Sequence, residues 1–305
     1  MDVTGRTSDG GSVRALASTH DVPSFLVGLI GSGIGPSLTP AMHETEAAEL
    51  GRRLVYRRID LDAWDLPASS VGELVRSAPR YGFDGLNITH PCKQLVLPHL
   101  DELTPDAAAL GAVNTVVFDG ERAVGHNTDW SAFARSLELG LPTVPRERVV
   151  LLGAGGAGAA VAHALMTAGV RDLSVVDTDQ DRASGLVRDL VERFPGRRCE
   201  AAPPSEVGGL LTRADGLVNA TPAGMAQHPG TPVAPELLRP HLWVADVVYR
   251  PLRTALLAEA EGIGCATLDG GGMAVFQAAQ ALELITGLVP DHDRMMAHFA
   301  AVARG

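Results

Sequence analysis

The sequence predicts an α/β fold made of two domains. From residue 25 onwards, short apolar runs alternate with stretches of helical spacing, which is the pattern of layered α/β proteins. The chain has 305 residues, 46% of them hydrophobic, which is enough for two domains with substantial cores. A glycine-rich turn at 153–158, between an apolar strand and an Ala-rich helix, indicates where the second domain opens.

The first half of the chain contains the elements of one α/β layer. Apolar runs predict strands at 25–30, 54–59, 83–89 and 112–118. A DG turn then leads into a short strand toward Gly125, and helical spacing occupies 40–50 and 70–80. Residues 1–20 lack the apolar segment of a signal peptide, so we expect a flexible polar extension there.

The second half predicts a helix, a linker and then a further α/β layer. A helix at about 129–139 ends at Gly140, and LPTVPRE follows as the linker. The segment 149–177 predicts a strand, a helix and a second strand. Later elements are strands near 198–202, 215–219 and 242–247 and helices at 273–286 and 291–303.

The composition argues against several classes of protein. A net charge of −11 and a pI of about 5.3 argue against nucleic acid or an anionic membrane as a partner. No run of about 18 apolar residues is free of charges and glycine breakers, so we expect no transmembrane helix. Three widely spaced cysteines without a CxxC pair fit free thiols in a reducing compartment, which predicts the cytoplasm. No metal site is expected from the spacing of His43, His90, His99 and His126.

Lys93 is the only lysine among the 25 basic residues of the Lys+Arg class. Arginine stays charged at any workable pH, whereas a lysine ammonium can release its proton. A position that keeps lysine in a chain otherwise using arginine is therefore a candidate for proton transfer or Schiff-base chemistry. The alternative is that the single lysine lies at this position by chance.

The turn at 153–158 matches the fingerprint of a dinucleotide-binding loop. Gly153, Gly155 and Gly158 form G-x-G-x-x-G directly after the apolar strand VVLL. These glycines permit a tight turn, the approach of a pyrophosphate and the packing of helix on strand, with the phosphates at the helix N-terminus. The expected diphosphate loop is Gly153, Ala154, Gly155, Gly156, Ala157 and Gly158. The alternative is a glycine-rich turn that binds nothing.

Asp177 ends the next strand, LSVVD, 24 positions after Gly153. A carboxylate at this point accepts hydrogen bonds from the ribose hydroxyls and repels a 2′-phosphate. Arg182 lies nearby, but it follows Asp177, Asp179 and Asp181, whose charges disfavour a second phosphate. The segment therefore predicts NAD rather than NADP, unless Asp177 serves only as a turn or helix cap.

Four polar motifs in the first half join strand ends to polar side chains. They are GPSLTPAMHE (35–44), NITHPCK (87–93), GAVNTV (111–116) and GHNTD (125–129). Taken singly, their residues are ordinary turn residues and helix caps. Together with the glycine turn, they resemble the shikimate dehydrogenase family over about residues 24–300. Within that family the chain is most similar to the quinate/shikimate dehydrogenases that use NAD.

The resemblance implies a role for each matching residue. Lys93 and Asp129 match the catalytic pair. The substrate-binding positions match Ser37 and Thr39 for the carboxylate, Thr89, Asn114 and Gln277 for ring hydroxyls, and Tyr249 near the carboxylate. The remaining cofactor-binding positions are Asp177, Arg182, Thr221, Val247 and Gly270.

Two departures from the biosynthetic members favour the quinate branch. Those members commonly have Ser-x-Ser where this chain has Ser37-Leu38-Thr39, and Asn-Arg-Thr where it has Asp177-Thr178-Asp179. The resemblance therefore implies NAD-dependent oxidation of quinate to 3-dehydroquinate and of shikimate to 3-dehydroshikimate, at the C3 hydroxyl. The substrate would be a small polyhydroxy cyclic acid, in quinate catabolism or aromatic amino acid biosynthesis, and a homodimer is one assembly that the family allows.

The same resemblance implies how the chain is divided. We expect an N-terminal α/β substrate domain on a mixed sheet, formed by 21–126 with 274–305, and a Rossmann domain at 127–273, with the site in the cleft between them. Four alternatives stay open: a biosynthetic shikimate dehydrogenase, a dehydrogenase for an amino analogue, a Schiff-base enzyme using Lys93, and an NAD-binding redox sensor without turnover. The presence of both Lys93 and Asp129 argues against the sensor.

Overall fold

Two six-stranded sheets flanked by helices make up the computed structural model, which describes residues 23–303. The expected extension at 1–20 lies outside the described residues. All strands of the first sheet fall within 24–126, and all strands of the second within 148–268. The two-domain α/β fold is therefore confirmed, while the domain boundaries at 126/127 and 273/274 remain predictions.

The first sheet is mixed, as expected. Its strands are β1 (Ser24–Gly31), β2 (Arg53–Asp60), β3 (Gly85–Ile88), β4 (Glu102–Leu103), β5 (Thr115–Asp119) and β6 (Arg122–His126). They lie in the order β2-β1-β3-β5-β6-β4, in which β3–β5 and β5–β6 pair antiparallel and the other neighbours pair parallel. The associated helices are α1 (Thr39–Glu49), α2 (Val71–Ser77), α3 (Cys92–Leu95) and α4 (Pro105–Leu110).

The second sheet is wholly parallel. A connecting helix, α5 (Asp129–Gly140), leads to β7 (Arg148–Leu152), α6 (Gly156–Thr167), β8 (Asp172–Val176), α7 (Gln180–Arg193), β9 (Arg198–Ala202), α8 (Val207–Leu211), β10 (Gly216–Asn219), β11 (Trp243–Asp246), α9 (Ala255–Ile263) and β12 (Ala266–Leu268). The strand order β12-β11-β10-β7-β8-β9 is that of a Rossmann sheet, whose ligands bind where the order reverses at β7.

Helix α10 (Gly271–Thr286) returns the chain to the first sheet, and α11 (His292–Val302) packs on it. Leu282 and Ile285 of α10 cover the face of the sheet that carries Val27, Leu29 and Tyr56. Helix α10 also contacts α5, so it touches both the first sheet and the helix that leads into the second. This arrangement places the carboxyl ends of β1 and β3 near the start of α5.

Several predicted elements differ in extent from the observed ones. The strand predicted at 112–118 begins only at Thr115, because the backbone nitrogen of Val113 donates to the carbonyl of Lys93, 2.9 Å away, instead of joining the ladder. The helix predicted at 70–80 ends at Ser77 and continues as a single tight turn around Pro79. The short strands β4 and β12 carry too few apolar residues to be predicted from periodicity.

Candidate active site

The predicted catalytic pair forms a direct contact. Lys93 lies in α3, directly after β3, and Asp129 is the first residue of α5. The Nζ atom of Lys93 donates a hydrogen bond to Oδ2 of Asp129 at 2.5 Å, and their side chains are 23% and 9% exposed. The pair thus lies in a largely dehydrated position that still opens to solvent on the lysine side.

Asn114 holds the other oxygen of that carboxylate. Its Nδ2 donates to Oδ1 of Asp129 at 2.8 Å, and its Oδ1 accepts from the backbone nitrogen of Thr128 at 2.9 Å. Both carboxylate oxygens of Asp129 therefore accept hydrogen bonds from other side chains. The N-cap residue of α5 is Thr128, not Asp129. This geometry argues against the simpler interpretation of Asp129 as a helix cap.

Gln277 joins the same cluster through its backbone. Its carbonyl accepts from Oγ1 of Thr128 at 3.2 Å, while its side-chain Nε2 lies 3.3 Å from the carbonyl of Ala274, to which it donates. Helix α10 is therefore tied to the start of α5 directly beside Asp129. Thr89 follows β3, and its backbone nitrogen donates to the carbonyl of Ile30 at 2.9 Å, which keeps it at the carboxyl edge of the sheet.

Ser37 and Thr39 lie at the end of the β1–α1 loop, where two arginines hold the backbone. Arg58 of β2 donates to the carbonyl of Ser37 at 2.9 Å, and Arg250 donates to the carbonyl of Pro36 at 2.6 Å. Because Arg250 follows β11, this second bond links the two sheets' loops. It also brings Tyr249, the neighbour of Arg250, to the same edge as Ser37.

Three buried polar residues of this cluster were not predicted. Asn87 of β3 accepts from the hydroxyl of Tyr56 at 2.6 Å and donates to Oγ1 of Thr115 at 3.1 Å. Thr115 in turn donates to Oδ1 of Asn114 at 3.1 Å. Asn87 stands in the motif NITHPCK and was open to interpretation as a turn residue. Asn87 lies inside a buried strand, where a polar side chain needs a hydrogen-bond partner. That position in the sequence pattern could have identified it as part of a polar network.

Two other titratable groups of the region, Cys92 and His43, are buried in their neutral forms. Burial raises the pKa of the Cys92 thiol, so Cys92 is a poor nucleophile. Burial lowers the pKa of His43 to about 4, and this neutral ring hydrogen-bonds the carbonyl of Ala278 at 2.8 Å. Within residues 23–303, no group of three or more His, Cys, Asp or Glu side chains is arranged to hold a metal ion. Proton transfer by the Lys93–Asp129 pair is the chemistry that the cluster supports.

The glycine turn has the shape that a diphosphate requires. Gly153 has φ +96°, a backbone conformation that favours glycine, and a Cβ on Gly158 would lie 2.0 Å from the carbonyl oxygen of Gly153. Helix α6 therefore packs tightly on β7. A Cβ on Gly155 or Gly156 would meet open space, so the free N–H groups at the start of α6 face a cradle that fits phosphate.

Asp177 braces this turn. Its Oδ2 accepts from the backbone nitrogen of Ala154 at 2.7 Å, and its Oδ1 accepts from that of Asp179 at 2.9 Å. Arg182 donates to Asp179 at 2.9 Å and lies 3.9 Å from Asp177. Arg182, which the resemblance placed near the cofactor, is thus neutralised by two carboxylates, and its guanidinium is engaged rather than free for a phosphate.

Three residues expected to bind the cofactor, Thr221, Val247 and Gly270, lie at the same edge of the second sheet. Thr221 follows β10, and its methyl carbon lies 3.1 Å from the position a Cβ would take on Gly153. A Cβ on Gly270 would lie 2.4 Å from the carbonyl oxygen of Val247. Asn219, which was not predicted, orients Thr221 by accepting from its hydroxyl at 2.7 Å. Loops after β7, β8, β10 and β11 therefore converge as a dinucleotide site requires.

Comparison with family models agrees with this architecture. A model of the shikimate dehydrogenase substrate binding domain matches residues 29–116, which include most of the first sheet. A model of the ThiF family matches residues 131–194, from α5 to the end of α7.

Among the described residues, no helix combines the length and the apolar character that a bilayer span requires.

Curated relatives resemble the chain over nearly its full length. A protein of Streptomyces avermitilis named shikimate dehydrogenase (NADP(+)) is 61% identical, over 92% of this chain and 96% of its own. A protein of Corynebacterium efficiens named quinate/shikimate dehydrogenase (NAD(+)) is 51% identical, over 93% and 99%. The solved quinate dehydrogenase from Corynebacterium glutamicum in complex with NAD superposes with a TM-score of 0.87 at 47% identity, over 91% of this chain and 99% of its own. The chain belongs to the shikimate dehydrogenase family and is an oxidoreductase with a pyridine nucleotide site.

Proposed function

We propose that the protein catalyses the reversible, NAD-dependent oxidation of quinate to 3-dehydroquinate and of shikimate to 3-dehydroshikimate. The observation that carries this proposal is the Lys93–Asp129 ion pair at 2.5 Å, placed where loops of both sheets meet. Oxidation of a secondary alcohol requires a group that accepts the hydroxyl proton, and a partly buried lysine held by a carboxylate can do so when it is neutral. When bound, the nicotinamide cofactor supplies the hydride acceptor.

In this proposal the chain's own residues orient the acid and move one proton. In its neutral form Lys93 accepts the proton of the C3 hydroxyl, and the ion pair with Asp129 is the state that holds this proton. Asp129 orients the lysine. Because the two groups are coupled, the proton belongs to the pair rather than to one residue. The hydroxyls of Ser37 and Thr39 bind the carboxylate, with Tyr249 beside them.

The ring hydroxyls need several short polar groups at fixed positions. We assign Thr89, Asn114 and the side chain of Gln277 to them, since all three lie at the edge that carries the ion pair. The domains 21–126 with 274–305 and 127–273 would close on this cleft and exclude water from it. The bond between Arg250 and Pro36 supports such a closed arrangement.

The preference for NAD rests on the segment after β8. Asp177 lies beside the glycine turn, and Asp179 engages Arg182, so negative charge surrounds the place of an adenosine ribose. A 2′-phosphate would meet this charge without a free cation. The NAD named for both Corynebacterium relatives supports the same choice.

A biosynthetic shikimate dehydrogenase is the second candidate. The Streptomyces relative, 61% identical, carries that name together with NADP(+). This candidate predicts reduction of 3-dehydroshikimate, with no turnover of quinate.

One set of initial rates separates the two candidates. Purified protein is assayed with quinate and with shikimate, each with NAD and with NADP, and Lys93→Ala serves as the inactive control. We expect both acids to be oxidised, with kcat/KM at least about tenfold higher for NAD, the size expected from one lost charged hydrogen bond. Oxidation of shikimate alone, with NADP preferred, would instead establish the biosynthetic candidate.

A further inference from the structure

We propose that Tyr56 is a positioning residue for the reaction. Its phenol hydroxyl is the first donor in a chain of hydrogen bonds that ends at Asp129 of the catalytic pair. The chain runs from Tyr56 through Asn87, Thr115 and Asn114 to Asp129. This inference rests on the dehydrogenase activity of the proposed function. It adds a residue of β2, away from helices α3 and α5, which carry the ion pair.

Tyr56 is fixed where it stands. It lies on the edge strand β2, opposite Val27 of β1, and only 7% of it is exposed. The ring of His43 packs edge-on against its ring, with centroids 5.2 Å apart. Leu282 and Ile285 of α10 belong to the same apolar cluster. The phenol therefore has one place for its hydroxyl, which reaches past β1 to Asn87 on β3.

The direction of the first bond follows from the chemistry of a buried phenol. Burial raises the pKa of Tyr56 far above its usual value, so the hydroxyl keeps its proton and donates it to Oδ1 of Asn87 at 2.6 Å. Since Oδ1 of Asn87 is the acceptor, the other end of the amide must be Nδ2. Tyr56 thereby selects one of the two flip states of the Asn87 amide.

Each later bond has only one consistent direction. Nδ2 of Asn87 donates to Oγ1 of Thr115, so the single hydroxyl proton of Thr115 is free to reach Oδ1 of Asn114. Oδ1 of Asn114 accepts from Thr115 and also from the backbone nitrogen of Thr128, so Asn114 presents Nδ2 to Asp129 at 2.8 Å. The carboxylate then receives Asn114 on one oxygen and Lys93 on the other, which fixes its plane relative to the lysine.

Loss of the phenol hydroxyl would remove the donor that fixes the direction of the hydrogen bonds along this chain. Oδ1 of Asn87, whose residue is 5% exposed, would have no donor, and an amide flip would bring Nδ2 toward the apolar ring. Thr115 would then lose the donor that sets its own proton. Asn114 would keep its bond from the backbone nitrogen of Thr128 but lose the bond from Thr115, so the ion pair would remain while the amide that holds Asp129 is fixed by one donor fewer.

The test uses Tyr56→Phe, which removes one oxygen and keeps the ring. We expect kcat for the better acid substrate to fall about 5- to 50-fold, as for an unpaired buried polar group, while KM for the cofactor stays within about twofold. Tyr81→Phe is the matched control, because Tyr81 is 75% exposed. A kcat for Tyr56→Phe equal to that of the control would overturn the positioning role.

A second pair of variants separates a directed chain from general loosening of the core. Thr115→Val breaks the chain at its middle, and Thr115→Ser keeps the hydroxyl. We expect Thr115→Ser to retain most of kcat, and the double variant Tyr56→Phe, Thr115→Val to be no slower than Thr115→Val alone. Losses that multiply in the double variant would mean independent effects and overturn the chain.

The activity of the unmodified protein keeps the two proposals apart. If it oxidises neither acid with either cofactor, the proposed function fails and this inference fails with it. If it is active while Tyr56→Phe loses nothing, only the positioning role fails. Thermal unfolding of each variant is followed in parallel, and an equal loss of kcat in Thr115→Ser and Thr115→Val would also overturn the chain.

Discussion

Nζ of Lys93 lies 2.5 Å from Oδ2 of Asp129, although 36 positions of sequence separate the two residues. Helix α3 carries the lysine and the first turn of α5 carries the aspartate, so the pair joins the first sheet to the helix that leads into the second. Asn114 holds the remaining oxygen of the carboxylate.

Replacement of Lys93 should abolish most of the activity without unfolding the protein. For Lys93→Ala we expect kcat to fall about 10²- to 10⁴-fold, the usual contribution of a positioned acid–base group. Lys93→Arg should fail as well, because a guanidinium does not release its proton near neutral pH. Steady-state kinetics and a fluorescence titration with the cofactor measure both effects. An arginine variant with nearly normal kcat would refute proton transfer by Lys93.

Asp129→Asn should impair turnover more than loss of charge alone suggests. The carboxylate accepts from Lys93 on one oxygen and from Asn114 on the other. In either flip state, the amide would point its NH₂ group at one of these donors. We expect kcat to fall at least about tenfold, which corresponds to one unpaired buried donor, and the pH–rate profile to change. An unchanged profile with normal kcat would leave Asp129 only a structural role.

Asp177→Asn should narrow the preference for NAD over NADP. The substitution removes the negative charge near the ribose, and it also removes an acceptor from one of the backbone nitrogens of Ala154 and Asp179. We expect the ratio of kcat/KM for the two cofactors to move at least about fivefold toward NADP, about one kcal/mol of charged interaction. Asp189→Asn, which neutralises an exposed acid further along α7, is the control and should leave the ratio unchanged.

Gly158→Ala should destabilise the packing of α6 on β7 and weaken cofactor binding. The new methyl carbon would lie 2.0 Å from the carbonyl oxygen of Gly153, so α6 must move away from β7. We expect a loss of about 1–3 kcal/mol in the free energy of unfolding, measured by denaturant titration. Gly185→Ala in α7 is matched, because its methyl group would meet nothing within 4 Å. That variant should unfold at the same or a higher denaturant concentration.

His43 should make folding stability depend on pH. Burial lowers its pKa from 6.5 to about 4 in the folded state, so between these values the unfolded chain binds the extra proton. The contribution is complete above pH 6.5 and is lost as the pH falls toward 4, by about 3 kcal/mol in total. We expect His43→Gln to flatten the dependence of the unfolding free energy in this range. His241→Gln, at an exposed position, should follow the unmodified protein.

The fold class and the glycine turn followed from local sequence patterns, whereas most residues of the substrate site followed from the resemblance to the family. The glycine turn at 153–158, the strand before it and the helix after it were predicted because backbone sterics at glycine and strand–helix periodicity act within a few residues. Lys93 was selected by residue type and Asp129 by the resemblance to the family, and the structure brings them together. The residue-level roles in binding remain predictions.

Tertiary structure alone decided which buried polar groups serve which partners. Tyr56 and Asn87 meet across β1 at a separation of 31 positions, and Asp177 braces Ala154 across 23. Such pairings depend on strand order and register, which no local pattern encodes, so the sequence left Asn87 as a turn residue and did not select Tyr56 at all. The sequence determined which residues carry charge and protons; packing of β1, β2 and β3 under α10 determined where those protons point, because a buried donor must find its acceptor within hydrogen-bond distance.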